Sequence, residues 1–372
     1  MSSTDPTHPG DHSPSAEIAA LAALPRAGSV RLGRLLRDRE PRGAWSRVKE
    51  GRVPVEVAPA AVREEWRAAS RSVELVELGR RLRTAGVVAT SWHDDAHPPQ
   101  FRADIDPAPV AFRRGRLPDA NLPHVAIVGT RRASAIGREM ARELGAGLAA
   151  SGVVVVSGLA LGIDGAAHRG ALLGAGAPPV AVVGSGADVV YPAAHRDLWR
   201  EVAAVGAVLT EAPFGARPDA WRFPARNRLI AALADLVVVV ESRAAGGSLL
   251  TVEQATRRGV DVMAVPGSVR NAAAIGTNQL LADGCAPVRD VDDVLVALGL
   301  GAATTAARRA TPTRPAVSPE ADLVLAAIDD GPTSVDQLVE RLGIDVGDVY
   351  LRLGELSATG RVVHDGARVR RA

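Results

Sequence analysis

At 372 residues the chain is too long for one hydrophobic core to organise, and two or three folding units are expected. Basic and acidic residues nearly cancel, 44 against 42, which excludes net charge as a source of attraction to nucleic acid and leaves that task to a local patch. The one cysteine, Cys285, excludes an internal disulfide and a thiolate cluster for metal, and points to a reducing, cytoplasmic compartment.

The first fifteen residues are polar, with no apolar signal-peptide core, and read as a disordered tail. No later stretch runs about 18 residues without polar interruption, so no membrane span is expected. Residues 16–83 place apolar side chains at helical spacing, as in Leu21 and Leu24, then Leu32, Leu35 and Leu36, and predict a small helical domain. Its turn Leu24-Pro25-Arg26-Ala27-Gly28 has two readings. One is a helix-hairpin-helix remnant offering backbone N–H groups to a phosphate; the other is an ordinary helix–helix turn, favoured because only one of the expected glycines is present. Residues 84–117, rich in Pro, His and Asp, read as an extended connector with a strand at 87–90.

From His124 the pattern changes to short apolar runs, at 125–128, 153–156, 180–183, 207–209, 236–240 and 262–265, alternating with helical stretches. Continuously apolar strands are those covered by helices on both faces, so 118–298 is predicted to be a doubly wound, parallel, Rossmann-like α/β domain. Residues 299–317 are mostly Ala, Thr, Arg and Pro without periodicity, a linker. Beyond it, helices at 320–328, 334–342 and 346–359 with short strands around Val362-Val363 and Val369 predict a winged-helix-like domain, Ser334 capping its second helix. The third helix has acids near its start and one arginine, poor equipment for a major groove, so protein contact is weighed equally with duplex DNA.

Four loops of the α/β domain stand at carboxyl ends of predicted strands, where open α/β sheets place ligands, and should share one crevice. In the first, Gly129 lets a phosphate approach, Arg131 clamps an oxyanion and Ser134 caps the next helix. The second, Ser157 to Asp164, has Gly158 and Gly162 for an irregular turn, and Asp164 as a helix cap. The third, Phe223-Pro224-Ala225-Arg226-Asn227-Arg228, puts two guanidiniums and an amide at a helix start, with Phe223 available for stacking on a base. In the fourth, Gly246-Gly247-Ser248, backbone amides and the Ser248 hydroxyl form an anion nest.

Other chemistries lack their residues. The one lysine, Lys49, removes a P-loop; no GxGxxG follows the first strand and no acid ends the second, which disfavours a nicotinamide cofactor. His93-Asp94-Asp95-Ala96-His97 lies in a polar connector without a third metal ligand and reads as a solvated loop. Neither cofactor nor metal is expected.

The strand-end loops resemble the DNA-processing protein A family, single-strand DNA-binding proteins of bacterial transformation. The matching residues are Ile127 to Arg131 with Ser134, Ser157 to Asp164 with Ala167-His168, Tyr191-Pro192, Phe223 to Arg228, Gly247 to Thr251, Ala264 to Gly267, and Gly276-Thr277-Asn278. The resemblance implies a dimeric, non-catalytic protein that binds incoming single-stranded DNA and loads the RecA recombinase onto it. By position, Gly129, Arg131, Ser134, Gly158, Arg226, Asn227, Arg228, Gly247 and Ser248 would hold the backbone, with Phe223 stacking on a base. The alternative is a nucleoside-monophosphate phosphoribohydrolase resembling the Lonely Guy family. Gly246-Gly247 and Glu253 have its loop spacing, but Leu249 and Leu250 replace the Gly and Thr that shape its phosphate nest.

Overall fold

The computed structural model describes residues 14–300, 318–328, 333–358, 361–365 and 368–371. Contacts divide the chain into two compact units, Met1–Gly301 and Ala302–Ala372.

The first unit opens with helices α1 (Pro14–Ala22), α2 (Gly28–Leu36), α3 (Pro41–Lys49), α4 (Ala60–Ser70) and α5 (Leu75–Ala85). The sequence of α1 is apolar on nearly every side, and the helix is accordingly buried along its length, with the others around it. Pro14 and Ser15, assigned to the tail, instead begin α1: proline suits a first helical turn, where its missing N–H is not needed. The Ser15 hydroxyl donates to the Ala89 carbonyl at 2.8 Å. The rest of the tail lies outside the described residues.

The segment read as an extended connector, 84–117, belongs to the main sheet. Strand β1 (Val87–Ser91) and strand β2 (Val110–Gly115) form an antiparallel ladder, with a short helix α6 (Pro99–Ala103) between them. One face of this pair, Val87, Ala89, Val110 and Phe112, packs on the N-terminal helices, so helical region and sheet share a core. Strand β2 escapes a sequence reading because its apolar start, Val110 to Phe112, is three residues long and runs into Arg113 and Arg114.

The remaining strands are β3 (His124–Val128), β4 (Val154–Ser157), β5 (Val180–Val182), β6 (Ala207–Thr210), β7 (Leu236–Val239), β8 (Asp261–Ala264) and β9 (Ala286–Pro287). Sheet order is β1-β2-β6-β5-β4-β3-β7-β8-β9, parallel from β6 to β9. The crossovers are α7 (Ala135–Ala150), α8 (Ile163–Leu173), α9 (Arg196–Val205), α10 (Arg222–Leu233), α11 (Leu249–Thr256) and α12 (Ile275–Ala282), followed by α13 (Val291–Ala297). Side chains alternate across the pleat: Val125 and Ile127 pack with Leu144 of α7, while Ala126 and Val128 pack with Leu229 and Ile230 of α10. Both faces are therefore dry, which is why these runs are continuously apolar. From β3 the chain winds one way through β4, and later the other way from β7, which neighbours β3 on its opposite side. The carboxyl ends of β3 and β7 are thus the switch point of a doubly wound sheet, where a ligand crevice forms.

The second unit has helices Pro319–Ala327, Val335–Leu342 and Val346–Ala358 and a three-stranded sheet of Thr333–Ser334, Arg368–Arg371 and Val362–Asp365. Its core joins Val324, Leu338, Val349, Leu353, Val362 and Val369. Ser334 caps the second helix as expected, in a reciprocal capping box with Gln337. Gly299 and Leu300 of the expected linker end the first unit's described residues; 301–317 and 329–332 lie outside them.

Candidate functional site

At the switch point the loops after β3, β4, β5 and β7 and the start of α10 enclose a cavity of about 780 Å³. Four arginines line it, Arg131, Arg132, Arg226 and Arg243, against one carboxylate, Asp164. Such a low-dielectric cleft lined by one sign of charge concentrates anions.

Arg131 is exposed at the β3 exit, its guanidinium 5.0 Å from the ring centroid of Phe223. Phe223 in turn meets Tyr191 at 5.3 Å between ring centroids. An arginine and two rings, the rings tilted 37° to each other, therefore stand together on the crevice wall, and a small recess of about 50 Å³ opens between them and Gly158. The expected roles of Arg131 and Phe223 are compatible with this placement.

Arg226 is 6% exposed. Its Nη1 donates to the Val182 carbonyl, and its Nε has no partner among the described residues. Burial pulls its pKa down to about 10, with the Asp164 carboxylate opposing that shift, so it stays cationic at neutral pH. Gly158 makes room for it: a Cβ there would collide with the guanidinium and with Asp164 Oδ2. Gly158 thus seats Arg226 and does not itself face the larger cavity. Gly129 does line that cavity, but its bare Cα is required by packing, since a Cβ would stand 2.5 Å from Ile163 Cγ1 and 2.8 Å from the Glu241 carbonyl.

Asp164, expected to cap α8, sits inside its first turn and is buried, accepting from the backbone of Ala160 and Gly158. Burial raises its pKa and Arg226 opposes that. It holds the loop after β4 in shape.

Ser134 caps α7, accepting from Gly137 N at 2.9 Å. It is not a backbone clamp, however. Its hydroxyl donates to Glu241 Oε1 at 2.7 Å and its amide to Oε2 at 2.9 Å, so a buried carboxylate from the β7 exit already occupies the start of α7. Asn271 Nδ2 reaches the same Oε1 at 3.3 Å. Glu241 thereby ties together the loops after β3, β7 and β8.

Arg228 also departs from expectation. Two positions apart on a helix are roughly 200° apart around the axis, and Arg228, unlike Arg226, does not line this crevice. Arg228 turns away and pairs with Glu211 and with Asp106, whose carbonyl accepts from Nη1 at 2.7 Å. Asn227 lines the crevice, its Nδ2 donating to Gly247 O at 3.3 Å and bracing the β7 loop.

In that loop the Ser248 hydroxyl donates inward to Ser242 Oγ at 2.9 Å, so it does not point at a ligand. The amides of Gly247 and Ser248 have no acceptor among the described residues, and the space beside Gly247 is open. The anion-binding capacity of this turn is in its amides, at the N-terminus of α11. Arg243 and Tyr191 were not assigned to the site from sequence; the strand-end position of Glu241-Ser242-Arg243 was the signal for the first.

The family model for DNA recombination-mediator protein A matches residues 88–299, and the model for the DprA winged helix domain matches 308–366. A putative DNA processing protein DprA of Mycobacterium tuberculosis is 38% identical over 296 residues, 76% of this chain and 74% of that protein. Protein Smf of Synechocystis is 33% identical over 314 residues, 75% of this chain and 79% of the relative. Among solved structures, DNA processing protein A of Streptococcus pneumoniae superposes with a TM-score of 0.63 at 30% identity, covering 75% of this chain and 95% of that one. A Helicobacter pylori DNA processing protein A, solved to study its single-stranded DNA binding mode, has a TM-score of 0.51 at 27% identity, covering 56% and 95%. Among the described residues no helix is long and apolar enough to cross a membrane. Fold, switch-point crevice and sequence agree: the chain belongs to the DprA/Smf family of DNA-processing proteins.

Proposed function

We propose that the crevice binds the sugar–phosphate backbone of single-stranded DNA without chemistry on it, and that the protein, a cytoplasmic homodimer, delivers such strands to the RecA recombinase in transformation and recombination. The observation that carries the reading is the pairing, in one cavity, of four arginines and unpartnered amides with the Arg131, Phe223 and Tyr191 surface. Cations and amides suit phosphates of any sequence, and flat rings suit exposed bases, a combination typical of single-strand grooves. The similar Helicobacter pylori structure, whose subject is single-stranded DNA binding, supports the same assignment. RecA delivery and dimerisation rest on the family to which the chain belongs.

The phosphoribohydrolase alternative loses support at Glu253. That carboxylate is exposed and lines a separate groove beside α12, away from the crevice. The crevice carboxylate, Asp164, is held by two backbone amides and Arg226. The reading therefore needs no catalytic residue and no cofactor.

Fluorescence anisotropy of a labelled single strand against its duplex, across a salt series, tests it. Preferential, strongly salt-dependent single-strand binding is expected; equal affinity for both forms, or none, would overturn it. Acceleration of RecA filament formation on the same strand tests the delivery step.

A further inference from the structure

The segment 220–226 serves two cavities at once. Phe223 turns into the crevice, whereas Trp221 lines a second cavity of about 600 Å³ between the α1–α2 turn, the ends of β5 and β6, and α10. Arg226 stands in the wall of both. Trp221 is 64% exposed, while Trp45, Trp66 and Trp199 are buried. The Arg222 guanidinium lies 4.5 Å from the Trp221 ring centroid and orients it at the cavity rim. An indole left in water contributes nothing to the core, and an exposed ring beside a cavity is how stacking sites are built.

We propose that this second cavity is a further subsite for the same strand, in which the backbone leaves the crevice past Arg226 and the next base stacks on Trp221. The inference rests on the single-strand reading of the crevice. The cavity volume is within the range of sites that hold molecules of nucleotide size. Its apolar walls, Leu24 and Leu229, suit the faces of a base. Asp106 and Glu211, both held by Arg228, repel phosphate from its depth and leave the backbone at the Arg222 rim. The strand would thereby touch the α1–α2 turn, giving the N-terminal helices a part in binding.

The test uses the full chain with a ladder of labelled oligothymidylates, reading anisotropy and tryptophan emission together. Oligonucleotides long enough to span both cavities should quench the Trp221 contribution, and Trp221→Phe should abolish that quench while keeping affinity near the wild-type value. Trp221→Ala should lose about five-fold or more in affinity for the longer oligonucleotides and little for the shortest ones, as expected for one lost stacking contact. Binding without quenching, or equal affinity of wild type and Trp221→Ala at every length, overturns the second subsite and leaves the crevice standing. Absence of binding by wild type at any length overturns both readings.

Discussion

The Arg226 guanidinium fills the space that a side chain at Gly158 would need. These residues come from α10 and the loop after β4, and the missing Cβ lets a buried cation lie under the crevice floor. Gly158→Ala is expected to displace Arg226 and to cost about 1–3 kcal/mol as an overpacked site. Thermal unfolding reads the stability loss and anisotropy the affinity loss. Unchanged values in both would show that Arg226 is not seated by Gly158.

Arg131 and Arg228 should separate binding from stability. Arg131 is exposed, so Arg131→Ala should leave the melting temperature alone, weaken single-strand binding regardless of base sequence and reduce the salt slope by about one. Arg228→Ala should do the opposite. It leaves the half-buried Glu211 without its cation and should cost about 2 kcal/mol, with the salt slope retained. Urea unfolding and a salt titration on both variants decide this; identical behaviour of the two would contradict the placement of Arg228.

Glu241 makes a similar case for stability. Glu241→Ala removes the acceptor of the Ser134 amide and hydroxyl and of Asn271, and is expected to destabilise the first unit by about 2 kcal/mol. Hydrogen exchange should quicken at the start of α7. Protection unchanged there would mean that the carboxylate does not cap that helix.

Two buried histidines predict a pH dependence. Burial lowers the pKa of His97 to about 4 and that of His168 to about 3, against about 6.5 when unfolded. Since the folded values are the lower ones, the unfolded chain takes up protons first as pH falls. Their contribution is complete above about pH 6.5 and is lost as pH falls from there toward the folded values, by up to about 1.4 kcal/mol per pH unit for each ring. Urea unfolding between about pH 7 and pH 5 should show the decline, and His97→Gln should make it shallower. An equal slope in that variant would show that His97 does not titrate on unfolding.

The second unit has a core of its own, centred on Leu338, Val349 and Leu353. Removal of residues 318–372 should leave most single-strand affinity, measured by anisotropy. Near-total loss would move part of the binding site to that unit.

Local patterns made much of the fold legible. Six parallel strands were readable because a strand covered on both faces must be apolar at every position, and Ser134 and Ser334 were readable as caps because a hydroxyl before a helix satisfies its free amides. Arg131, Phe223, Asn227 and Gly247 were placed in one crevice because strand ends in this fold converge. Only the tertiary structure decided which way each polar group turns. Ser134 meets a carboxylate 107 residues away, Arg228 a carbonyl 122 residues away, and β2 gains its strand character from pairing with β1 and β6. Spacing along the chain fixes which residues a helix or loop brings near a site. The charge that a side chain finally faces is set by distant segments, because burying a cation or a carboxylate is tolerable only where packing supplies its partner.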